Sequence, residues 1–108
     1  MAYKQDYLQR QIEQFCQMLA KIGGMRGAGD LEAALELVRQ CYRGLGLDAS
    51  YLRLDAKSLR TLLADQAKLL ALCDLLDEES RIHAALGNEK VAEEYRNRAE
   101  QLRVELRR

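Results

Sequence analysis

Leu86-Gly87-Asn88-Glu89-Lys90-Val91-Ala92, followed by Tyr95 and Ala99, is the stretch on which the reading of this chain turns. A turn between antiparallel helices needs a residue that tolerates positive φ, which Gly87 supplies. Close approach of the two helices needs small side chains in the turns that follow, which Ala92 and Ala99 supply. The helix after the turn presents Val91, Ala92, Tyr95, Ala99, Leu102 and Leu106 on one face, with Glu94 and Arg98 expected to pair four apart on another. Ahead of the turn, Leu69, Leu70, Leu72, Cys73, Leu75, Leu76, Ile82 and Leu86 form an apolar set too broad for one stripe. That helix, expected over Gln66 to Leu86, is contacted on more than one side and is read as the central one.

The same signature stands earlier in the chain. Gly29, Ala34 and Cys41 recur as Gly87, Ala92 and Ala99 at one constant displacement, and Asp30 and Asn88 each follow the glycine. The later copy, from about Cys73 to Leu106, resembles the tetratricopeptide repeat: Leu-Gly at the turn, Ala early in the second helix, an aromatic, then Ala a turn later. Ser80 matches the small residue of that family's first helix, and His83 stands where the family usually has Tyr. The earlier copy matches only in its second helix, and the interval exceeds the family's period of roughly 34 residues, so a regular tandem array is not expected. The opening Asp6-Tyr7-Leu8-Gln9-Arg10-Gln11-Ile12-Glu13-Gln14, with Gly46-Leu47-Asp48 and the last hairpin, is also similar to a family of small uncharacterised bacterial proteins. That resemblance implies a tetratricopeptide-like helical fold and carries no activity onto any residue.

Outward from these hairpins, Leu8, Ile12, Phe15, Leu19 and Ile22 alternate spacings of four and three, which predicts a first helix from Tyr3 to Ile22. Gly23 to Gly29 reads as a flexible connector, with Asp30 capping a second helix that ends at Gly44 or Gly46. Leu47 to Leu86 holds neither Gly nor Pro, and one helix of that length would span about 60 Å, so it must break. Asp48, Asp55 and Asp65 are the candidate caps, predicting short helices at Asp48 to Leu52 and Ala56 to Leu63. The expected architecture is one all-α domain over 1-108, with about five helices in antiparallel hairpins.

Composition narrows the function. Apolar residues make up 48% and charged residues 31%, which is the balance of a chain that folds. Seventeen Lys plus Arg offset seventeen Asp plus Glu, so no long-range field draws in nucleic acid or anionic lipid. No apolar run reaches the roughly 20 residues of a membrane helix, and Met1 to Arg10 is polar where a secretory signal would be apolar, so a cytoplasmic protein is expected. Cys16, Cys41 and Cys73 form an odd set without C-x-x-C and are expected to be buried free thiols. His83 is the sole histidine, with Glu79 one turn before it; this pair is read as partly buried packing and implies no metal or cofactor. Neither a nucleophile elbow nor a P-loop is present.

Two surfaces remain as candidates. Asp74, Asp77 and Glu78, with Arg81 beside them, lie on one side of the central helix, where a tetratricopeptide-like groove would be acidic and suit a basic peptide. Arg26, Gly27 and Gly29 precede a helix N-terminus, whose free N–H groups suit an anion. The expectation drawn from these is a non-enzymatic interaction or scaffold module with a protein partner; the competing reading is a small-molecule or anion sensor. At most two repeat units, one of them incomplete, leave apolar faces open on the first and last helices, which points to a homodimer unless the short helices between Asp48 and Leu63 fold back as a cap.

Overall fold

The structure, a computed structural model, describes residues 2–47, 53–63 and 65–107, with side chains from residue 9 onward. Its regular elements are all helical: α1 (Ala2–Gly27), α2 (Leu31–Gly44), α3 (Ala56–Leu63), α4 (Gln66–Ala85) and α5 (Glu89–Leu106). The chain is thus a small all-α protein. The short helix expected at Asp48 to Leu52 lies outside the described residues.

The two hairpins, α1/α2 and α4/α5, turn by the same device. Gly29 has φ +83° and Gly87 has φ +87°. Gly29 N–H donates to Arg26 O at 3.1 Å and Asp30 N–H to Met25 O at 2.9 Å; Gly87 N–H donates to Ala84 O at 3.1 Å and Asn88 N–H to His83 O at 2.8 Å. This pair of bonds satisfies carbonyls that a helix end would otherwise leave orphaned. Asp30 and Asn88 then open the next helix through their own carbonyls, which accept from Ala34 N–H at 3.1 Å and Ala92 N–H at 2.9 Å. One residue therefore closes one helix and starts the next. Its side chain makes no cap bond in either case, contrary to the capping role expected of Asp30. Asp65 does cap, its carboxylate accepting from the N–H groups of Ala67 and Lys68 at the start of α4.

The expected break at Gly23 to Gly29 is a correction. α1 continues through Gly23, Gly24 and Gly27 and ends there, beyond the Ile22 that the pattern predicts. Each interior glycine costs about 1 kcal/mol relative to Ala. Against that, Ile22 is fully buried and Met25 packs on the core, and Arg26 reaches Glu78. Burial of one large apolar side chain is worth about 1.5–3 kcal/mol, enough to carry the helix past a glycine.

α4 is the centre of the structure, contacting each of the other four helices. Leu69, Leu72, Cys73, Leu75, Leu76 and Ile82 are all buried, which accounts for an apolar set wider than one stripe. The repeated small residues sit where helices meet: Ala34, Cys41, Ala92 and Ala99 are buried, and Ser80 Oγ donates to Ala92 O at 2.6 Å, tying α4 to α5. α3 lies against α5 and α4. Leu59 is its buried anchor, and Arg60 meets Glu105 at 3.4 Å. The open face expected on the last helix is accordingly covered in part, with Leu102 buried and Tyr95 and Leu106 packed on the core. No ion pair joins Glu94 to Arg98 among the described residues.

α1 is different. Its 26 residues span about 39 Å, whereas the 14 of α2 span about 21 Å. An antiparallel α2 therefore accompanies only the second half of α1, and residues 9–14 are all exposed.

Candidate functional site

Where α1 outruns α2, a groove of about 530 Å³ opens. One wall is α1, through Ile12, Phe15 and Met18; Cys41 near the end of α2 and Leu45 just after it form the floor's edge; the cap residue Asp65 and the first half of α4, to Asp74, form the other side. The surface is largely apolar with a polar rim of Gln11, Gln14, Gln40, Asp65, Lys68 and Asp74. Ile12 and Leu70 are each 50% exposed. Phe15, Leu19 and Ile22 of the same α1 stripe are packed, as are Leu69, Leu72 and Leu76 beside Leu70 on α4, so Ile12 and Leu70 mark where the described core ends. Helix α4 presents Leu70 here because its opposite side is already committed to the body.

The acidic residues singled out on α4 are divided by the fold. Glu78 is buried and held from two directions, by Arg26 Nε at 3.1 Å and Arg81 Nη1 at 2.8 Å. Asp77 is bonded to the guanidinium of Arg103, which also lies 3.7 Å from Asp74. Asp74 alone of the three carboxylates is exposed and lines the groove. Burial raises its carboxyl above the ordinary range, with the Arg103 guanidinium working in the opposite sense. Most of the acidic charge expected to face a basic peptide is thus answered by arginines of the same chain.

Arg26, Gly27 and Gly29 are likewise redistributed. Arg26 and Gly27 form the last turn of α1 and Gly29 is the turn glycine. The Arg26 guanidinium points to Glu78, so the cation expected beside an anion already has a carboxylate partner.

A second polar cluster lies where α2, α4 and α5 meet. Glu79 is only 7% exposed. Tyr42 Oη donates to its Oε1 at 2.8 Å, and His83 Nε2 lies 3.1 Å from Oε2. The His83 ring stacks on Tyr95 with centroids 5.2 Å apart and planes 16° from parallel. Burial, then the Glu79 carboxylate, pushes the Tyr42 phenol far up and the Tyr95 phenol up to about 12. Both stay neutral donors. His83 Nδ1 and Arg98 Nη1 are buried with no hydrogen-bond partner among the described residues. The expected role of His83 as partly buried packing holds, but its partners were not legible: the i,i+4 spacing of Glu79 and His83 was visible, and nothing local links either to Tyr42.

The thiols also divide. Cys41 and Cys73 are buried and Cys16 is exposed, so the expectation of three buried thiols fails at Cys16, on the outer part of α1. Burial raises the Cys41 pKa and pushes Cys73 up to about 11, leaving both protonated at neutral pH. Among the described residues, no group of His, Cys, Asp and Glu is placed to hold a metal ion, and no helix is long and apolar enough to cross a membrane.

No family model, curated protein or solved structure matches this chain.

Proposed function

We propose that this protein is a non-enzymatic protein–protein interaction module, with two tetratricopeptide-like hairpins that frame a groove for an apolar helix of a protein partner. The observation that carries this reading is the pair Ile12 and Leu70, each half-exposed on facing walls of one groove. Amphipathic helices are held in such grooves by apolar anchors one and two turns apart, with a polar rim setting orientation. Helical-repeat units also bury their apolar faces against neighbouring helices, the kind of contact this groove offers. The hairpin likeness rests on the turn at Gly87, the buried Ala92 and Ala99, and the Ser80 contact.

Site-specific photo-crosslinking in the native cell tests the proposal. A photoreactive residue replacing Leu70 should give discrete protein adducts, while the same residue at Glu94, on the far helix, should give none. Equal labelling from both positions, or none from Leu70, would overturn the reading.

A further inference from the structure

We infer that α5 carries a small-molecule site in which the Arg98 guanidinium binds the carboxylate of a small organic acid with an apolar body. The site shares no lining residue with the groove beside α1, so the inference goes beyond the docking reading and stands or falls apart from it.

One buried charge in this molecule is unanswered. Among the described residues three arginines are partly buried, Arg26, Arg98 and Arg103. Arg26 meets Glu78, and Arg103 meets Asp77 and Asp74. Arg98 has no such carboxylate among the described residues, and its Nη1 is buried with no hydrogen-bond acceptor. Glu94, four residues earlier on the same helix, is exposed and leaves it unpaired despite the favourable spacing. Buried donors in native proteins have acceptors almost without exception, and one left unmade is costly, so an acceptor brought from outside the chain is bound favourably.

A cavity of about 520 Å³ lies beside this side chain. That volume falls within the roughly 300–1,000 Å³ of small-molecule sites. Arg98 lines it together with Val91, Glu94, Tyr95, Asn97 and Gln101, and this lining selects the ligand. A guanidinium takes a carboxylate through two parallel N–H···O bonds, and the side-chain amides of Asn97 and Gln101 add N–H donors next to it. Val91 and the Tyr95 ring offer apolar surface to the rest of the molecule, and the ring is fixed by its stacking on His83. Burial and the Glu79 carboxylate push the Tyr95 phenol up, while the Arg98 and Arg39 guanidiniums act against them, which brings a second cation, from α2, to the border of the site. Glu94 limits the charge that can enter. Its carboxylate repels a second negative charge, so a monocarboxylate is preferred to a phosphate dianion.

Titration of the full chain with benzoate, against benzamide as its uncharged counterpart, tests the site. Benzoate should raise Tm and shift the ¹H–¹⁵N signals of the Arg98 Nε–H and of the Asn97 and Gln101 amides, and benzamide should do neither. Arg98→Gln should weaken benzoate by about tenfold or more, the loss of one charge-assisted pair. Arg96→Gln, the same charge change at an exposed position of the same helix, should leave the affinity as it is. Glu94→Gln, also at an exposed position, should tighten it. An equal response to benzoate and benzamide, which ordered water alone at Arg98 would give, overturns the inference. So does an affinity that survives Arg98→Gln, or one that Glu94→Gln weakens, and the second of these is read even where the first variant fails to fold.

Discussion

Removing one oxygen from Tyr42 tests whether Glu79 is the polar tie between the two hairpins. Tyr42→Phe keeps the ring, which is buried, and deletes only the donor that meets Glu79 Oε1 at 2.8 Å. Hydrogen bonds to charged groups contribute about 1.5–3 kcal/mol, and a buried carboxylate oxygen that loses its donor cannot recover it from solvent. At about 2.1 cal/mol/K per residue, a 108-residue chain unfolds with an entropy near 0.23 kcal/mol/K, so 2 kcal/mol lowers Tm by about 9 °C. Urea denaturation followed by circular dichroism and tyrosine fluorescence should show a lower midpoint with an unchanged slope. Glu79→Met, which removes the acceptor at similar volume, completes a double-mutant cycle. The coupling between the two substitutions should exceed 1 kcal/mol by rough estimate, since a Phe facing Met leaves nothing unpaired on that side. Additivity within about 0.5 kcal/mol would refute the tie, because residues that do not interact add to that accuracy.

Gly87→Val should cost about 1–2 kcal/mol through its φ of +87° alone, since nothing lies within 4 Å of the added Cβ; an unchanged denaturation midpoint would remove the turn assignment. Ala92→Leu should cost about 1–3 kcal/mol by overpacking the α4/α5 contact, measured the same way. Of the three thiols, Cys16 should react with a maleimide in the native protein while Cys41 and Cys73 react only on unfolding, which mass spectrometry of the time course resolves. Asp55 accepts the Ser58 N–H at 2.7 Å, and that bond lowers its carboxyl below the ordinary value. A lowered folded-state pKa gives stability that is present above the unfolded value, about 3.9, and is lost as pH falls through the folded one. The stability gap between wild type and Asp55→Ala should therefore be full at neutral pH and close in acid, as acid titration of both would show.

The sequence by itself determined the helices and the turns that join the hairpins. Gly29, Gly46 and Gly87 take positive φ because no bulkier residue does so cheaply, and that property belongs to the residue wherever it stands. The recurrence of Ala34 and Cys41 as Ala92 and Ala99 likewise located the close helix contacts, because only small side chains permit them. Only the tertiary structure decided which helix ran on and which charges met. Gly23, Gly24 and Gly27 stayed helical because Ile22 and Met25 are packed, a gain that arises from α2 and α4 and appears in no local window. Arg26 found Glu78 across fifty-two positions, and Tyr42 found Glu79 across thirty-seven. Those pairs turned an expected anion loop into a structural bridge and a lone histidine's neighbour into the junction of three helices. The groove belongs to the same category, since it exists only because α1 is nearly twice as long as the helix packed beside it.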